Sequence, residues 1–155
     1  MPLLLSGAGA ALLGIVVLCG WYTHNVTLIQ VLPSFVPMQY NTALGFLLCG
    51  VGLLCCYAGR RGPASAAGAV LGLLGLLTLC EYLTGVDLGI DQLFMEHYVD
   101  VKTSHPGRMA PNTALCFLLC GLAVVALARA AAAERAERVA GILGAAVTEI
   151  GRAHV

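Results

Sequence analysis

Seven cysteines, four histidines and a glutamate set in an apolar run are the side chains of this 155-residue chain best suited to chemistry. The cysteines are Cys19, Cys49, Cys55, Cys56, Cys80, Cys116 and Cys120. Cys116 and Cys120, four apart, share a helix face, and paired thiolates suit a soft ion such as Cu(I). Against a metal stand the absence of any C-x-x-C pair and of a histidine at ligand spacing. Unpaired cysteine is mostly a small buried apolar residue, and that is the reading adopted. A bis-histidine haem needs histidines within helices, whereas His24, His97 and His105 fall between the apolar runs. They could join Asp91, Glu96 or Asp100 in a metal or proton-sensing site, but solvated loop residues are the plainer expectation. No phosphate-binding glycine loop, nucleophile elbow or zincin motif occurs. The expectation is therefore no catalytic residue, no metal and no cofactor.

Sensing candidates remain. Glu81 falls near the end of an apolar run, followed by Tyr82 and Thr84-Gly-Val-Asp-Leu-Gly-Ile-Asp91. An ionisable residue inside a membrane span is costly, and functional by default; the competing reading is a side chain that snorkels to the interface. Asp91 closes the same segment. Two Asn-Thr pairs, Asn41-Thr42 and Asn112-Thr113, open apolar runs, where Asn is expected as an N-cap and Pro111 fits a helix start. Two such helix starts on one side of a membrane could also frame a small polar pocket.

The elements that must position these residues follow from a repeat. Met38-Gln-Tyr-Asn-Thr-Ala-Leu-Gly-Phe-Leu-Leu-Cys-Gly50 returns 71 positions later as Met109-Ala-Pro-Asn-Thr-Ala-Leu-Cys-Phe-Leu-Leu-Cys-Gly121, with ten of thirteen residues identical. Fifty-nine per cent of the chain is hydrophobic and 10% charged, against about a quarter charged in soluble domains. Four runs approach the roughly 20 residues that cross a bilayer: Leu3–Trp21, Thr42–Ala58, Ala66–Leu83 and Thr113–Arg129. The first lacks the basic start of a signal peptide and reads as a retained helix. The expected fold is an all-α integral membrane protein of two helical hairpins, residues 1–62 and 63–131. Both insert in the same sense, related by an axis along the membrane normal. Gly68 and Gly72 form a small-xxx-small packing face.

Arg60 and Arg61 occupy the short middle loop and Arg129, Arg135 and Arg138 follow the fourth run, while the first long loop has no Lys or Arg. The positive-inside rule then places both termini in the cytoplasm and the long loops outside. A net charge of zero and the lack of a basic patch argue against nucleic acid. The lipid bilayer is the expected partner.

Residues 132–148 read as a linker and the start of a fifth helix cut short, since only about ten apolar residues follow Val139. The last residues, Glu149-Ile-Gly-Arg-Ala-His-Val155, back-translate as GAG-ATC-GGA-AGA-GCA-CAC-GTC. That string contains a common sequencing-adapter word in frame, so residues 149–155 are expected to be foreign.

Asp87-Leu-Gly-Ile-Asp-Gln-Leu-Phe94, followed by Pro106-Gly-Arg-Met-Ala-Pro-Asn-Thr-Ala-Leu-Cys-Phe-Leu-Leu119, resembles the N-terminal membrane region of bacterial PAS-containing sensor histidine kinases and some diguanylate cyclases. The resemblance covers nearly all of residues 1–148. It implies a signal-input and anchoring role in the bacterial inner membrane, a dimeric parent protein and an output domain beyond this chain. Neither a kinase histidine nor a cyclase motif can be assigned here. A small parallel-repeat carrier is the alternative, but it would need polar groups near the bilayer midplane, where this sequence has Leu, Gly and Cys.

Overall fold

The computed structural model describes residues 1–30, 36–99, 105–129, 141, 144–150 and 152. The helices among them include α1 (Pro2–Tyr22), α2 (Val26–Ile29), α3 (Tyr40–Tyr57), α4 (Arg61–Thr84) and α5 (Pro111–Arg129). No strand occurs among the described residues. α1, α3, α4 and α5 are each long and apolar enough to cross a membrane. Leu12, Ile15, Val70, Leu73 and Leu76 stand exposed on α1 and α4, an outer surface suited to lipid rather than water. Residues 144–150 are also helical, and Arg152 pairs with Glu149. Residues 130–140 and most of the tail from residue 151 lie outside the described residues.

Three boundaries depart from the sequence expectation. α4 begins at Arg61, absorbing most of the expected loop Gly59–Ser65. Pro63 falls in its first turn, where a missing N–H costs no hydrogen bond. α3 starts at Tyr40 with Gln39 in the cap position, so Asn41 lies inside the helix and does not cap it. α5 starts at Pro111, the proline expected at a helix start but two residues ahead of the expected run, so Asn112 lies inside its first turn and does not cap it.

The repeat extends further than the thirteen-residue phrase. α1 and α4 correspond with a shift of 61: Gly7 with Gly68, Gly14 with Gly75, Cys19 with Cys80, Trp21 with Tyr82 and Thr23 with Thr84. The shift between α3 and α5 is 71, so the second long connection is ten residues longer than the first (71 − 61 = 10). Contacts respect both shifts. In the first hairpin the Trp21 indole N–H donates to the Met38 carbonyl at 2.9 Å. In the second, the Tyr82 hydroxyl donates to the equivalent Met109 carbonyl at 3.1 Å.

Within each hairpin the helices close over matched small residues. A Cβ on Gly14 would come 2.6 Å from the Leu47 amide nitrogen, and one on Gly121 would come 2.5 Å from the Gly68 carbonyl oxygen. With no solvent-driven collapse available in lipid, such backbone proximity is what lets dispersion hold two helices together. The hairpins meet through α3 and α5 at residues that are each other's repeat equivalents. Phe46 packs edge-on against Phe117 with centroids 5.5 Å apart, and Cys49 and Cys120 pack against the same core cluster. Equivalent residues meeting on parallel helices define an approximate two-fold axis along the helices. α4 also packs on α3, whereas α1 makes no matching contact with α5 among the described residues. The missing contact leaves a gap between the hairpins.

Valine at Gly121 should therefore destabilise the protein by about 1–3 kcal/mol, as overpacking generally does. Valine at Gly9, where an added Cβ meets nothing within 4 Å, should stay within about 0.5 kcal/mol of wild type. Reversible unfolding in mixed micelles measures both.

Candidate functional site

Glu81 is fully buried near the last turn of α4, 1% exposed, so it turns into the protein and does not snorkel to the surface. Gly85, in the left-handed region at φ 69°, ends α4 and donates its N–H to the Glu81 carbonyl oxygen. The chain then doubles back, and the Leu88 amide donates to Glu81 Oε1 at 2.9 Å. Asp91 follows, also buried, and the turn at Gly107 brings Arg108 between the two acids. Arg108 Nε donates to Asp91 Oδ2 at 2.6 Å and stands 3.4 Å from Glu81 Oε2. The Arg108 guanidinium lies 5.5 Å from the centre of the Tyr82 ring, and His105 packs edge-on against the same ring.

Burial works against the Arg108 charge, but the hydrogen bond and charge of Asp91, with the charge of Glu81, outweigh it. The guanidinium is thus held protonated even more firmly than usual. Desolvation makes such a cluster a weak source of net stability, yet removal of one member is severe, because it strands the others. Among the described residues, Glu81, Asp87 and Asp91 each bring a carboxylate oxygen within 4.8 Å of one another, a spacing compatible with a metal ion. Arg108 already supplies a positive charge to two of the three, and the Gly89 amide donates to Asp87. One guanidinium thus opposes two buried carboxylates, and Glu81 Oε2 and Asp91 Oδ1 are left without a hydrogen bond.

The ten extra residues of the second connection let this cluster reach the first hairpin. Asn41 Nδ2 donates to the Ile90 carbonyl oxygen at 2.9 Å, beside Asp91. Tyr98 donates to the Gly20 and Trp21 carbonyl oxygens, each at 3.3 Å, and burial pushes its own phenol pKa up. Phe94 approaches Tyr40, whose hydroxyl bonds that of Tyr22 at 2.8 Å. His97 is no solvated loop residue: its ring packs against Trp21, and both ring nitrogens are buried without a hydrogen bond. His24 and His105 are exposed, and the described histidines do not gather with Glu96 or Asp91 into a metal site.

Beside the cluster the gap between the hairpins opens into a cleft of about 680 Å³. Leu13, Val16 and Val17 of α1 form its deep wall, and Gln39, Thr42, His105, Arg108 and Thr113 contribute its polar groups. The sequence candidates thus divide. Thr42 and Thr113, repeat equivalents, both line the cleft; Glu81 and Asp91 hold Arg108 at its edge; Asn41 is buried and ties the connection down; Asn112 makes no such contact. Arg108 and Gln39 were not among the sequence candidates. The signal for Arg108 and Glu81 was a break in the repeat, since their equivalents in the first hairpin are Pro37 and Gly20.

No family model, no curated protein and no solved structure matches the chain. Its fold and site define an all-helical protein with four membrane-length helices and a buried ionic cluster at one end.

Replacing Arg108 with Met should cost about 3–5 kcal/mol, because two carboxylates lose their partner in a dry setting. Asn41→Ala should cost about 1–3 kcal/mol through the unpaired Ile90 carbonyl. Unfolding in mixed micelles reads both; an Arg108→Met protein as stable as wild type would contradict the cluster.

Proposed function

We propose that this chain is the membrane-embedded input and anchoring region of a bacterial sensor protein, most simply a sensor histidine kinase whose catalytic part lies outside it. The observation that carries the reading is the placement of the polar groups. The buried cluster and the cleft sit together at the end where the long connections lie, and both hairpins contribute to that end. A ligand there would touch both hairpins and could favour one packing of α3 against α5 over another, the differential interaction any signal requires. α5 would carry the shift to the opposite end. Arg60, Arg61 and Arg129 lie at that opposite end, which the positive-inside rule assigns to the cytoplasm of the inner membrane. The sequence resemblance to sensor-kinase membrane regions points the same way and also allows a diguanylate cyclase output. A homodimer follows from the same resemblance.

A carrier is less well supported. Gly72, Gly75, Leu118 and Gly121 fill the α4–α5 contact, and no path of polar side chains crosses the bundle among the described residues.

The test replaces the membrane region of a kinase of known output with residues 1–138. Asn41→Ala at the far end should then change basal phosphorylation at least severalfold, while vesicles containing the chain show no solute flux. Unchanged phosphorylation would reduce the chain to an anchor, and flux would make it a carrier.

A further inference from the structure

The cleft lies where the repeat calls for a helix contact. The approximate two-fold axis that exchanges the hairpins carries α3 onto α5 and α4 onto α1. The contact of α4 with α3 therefore has a counterpart between α1 and α5. That counterpart is the contact missing among the described residues, and Leu13 and Val17 of α1 face Pro111 and Thr113 of α5 across the gap instead.

The second hairpin shows what covers this flank of a first helix. Gly68 of α4 faces Gly121 and Val124 of α5, while Ala67, one residue earlier, turns toward α3: a Cβ on Gly52 would lie 3.6 Å from the Ala67 Cβ. Ala67 and Leu71 are buried, Leu71 in a cluster against which Leu48 of α3 packs. Their equivalents on α1 are Ser6 and Ala10, on the same flank of its glycine ridge as Leu13. Ser6 is exposed and Leu13 is 40% exposed. On α5, Leu119 and Ala123 are the equivalents of Leu48 and Gly52, and both are only half-buried. Two matched half-interfaces thus stand apart, with small residues at the positions where backbones must approach if dispersion is to hold helices in lipid. Only one end of α1 is tied to the second hairpin by hydrogen bonds among the described residues: Tyr98 donates to the Gly20 and Trp21 carbonyl oxygens. The half of α1 that carries Ser6 has no such tether.

We propose that α1 swings about its Tyr98 tether and seats Ser6, Ala10 and Leu13 against Leu119 and Ala123 of α5, closing the cleft. The protein then has two arrangements: the open one described above, and one in which both hairpins make the same cross-contact. Whatever fills the cleft favours the open arrangement, because the closed one leaves it no room. The idea names the moving part for the input role proposed above, and it rests on that reading only for its biological meaning. Closure is read on the chain alone and output on the kinase fusion, so either can fail without the other.

The α3–α4 contact supplies the test. Its Gly52–Ala67 spacing falls in the range of about 3.5–4.5 Å that a disulfide needs between Cβ atoms, so the equivalent pair, Ser6 and Ala123, comes into bridging reach only on closure. The full chain carrying Ser6→Cys and Ala123→Cys is placed one per phosphatidylcholine nanodisc and oxidised with copper phenanthroline. Mass spectrometry of the linked peptides identifies the bridge among the seven natural cysteines. Position 6 should link to position 123 at least about fivefold faster than position 8 does in Ala8→Cys/Ala123→Cys, because Ala8 lies on the opposite flank of Gly7. Leu13→Trp, a wedge at a half-exposed place in the cleft wall, should slow the link severalfold while the protein unfolds as wild type does. Equal rates from positions 6 and 8, a link indifferent to Leu13→Trp, or a link that forms only between chains when discs hold two, would overturn the proposal.

Discussion

Three ionisable groups held out of water have to satisfy one another, and one whole end of this protein is arranged around that requirement. Arg108 can reach Glu81 and Asp91 only if α4 ends sharply at Gly85, the chain folds back through Leu88, and Gly107 turns it again before α5. Once Asp91 is fixed, the neighbouring Ile90 carbonyl is fixed too, at the position where Asn41 of the other hairpin donates to it. The ionic contact is thus local to the second hairpin, and its mechanical consequence is a link between both. Such a cluster contributes little net stability for its desolvation cost; what it supplies is a single geometry.

The duplication explains why the link exists on one side only. Both hairpins are closed by the same close-approach glycines, and both hold an aromatic residue of the first helix against a methionine carbonyl before the second. In the first hairpin the position of Glu81 is Gly20, against which Leu28 and Ile29 of α2 pack closely. In the second, a carboxylate takes that position, an arginine replaces Pro37, and ten more residues give the connection its reach. The buried charge thus belongs to one copy of the repeat only, and it is the second hairpin that carries the ionic cluster.

Much of this architecture was legible in the sequence. Length and hydropathy place four apolar helices, and the phrase shared by α3 and α5 gives the parallel hairpins, because neither signal depends on tertiary detail. The match between α1 and α4 was harder to see, being carried by scattered Gly, Ala, Leu and Cys against a background of the same residues. Helix starts misled where proline and asparagine read as loop and cap: Pro63 is tolerated in a first turn, and Asn41 spends its side chain on Ile90. Glu81 and Asp91 were visible as chemistry out of place. Arg108 and Gln39 were not, since a loop arginine and a loop glutamine carry no periodic signal; only the break in the repeat opposite Pro37 marked Arg108.

The central claim is that the buried cluster couples the hairpins through the Ile90–Asp91 segment, and a double-mutant cycle between Asn41→Ala and Arg108→Met tests it most directly. With unfolding free energies measured in mixed micelles, the account predicts that the two costs fail to add by about 1 kcal/mol or more, because loss of Arg108 already frees the segment Asn41 holds. Additive costs would mean that the cluster and the Asn41 contact are independent, and the account of a shared, coupled end would be wrong.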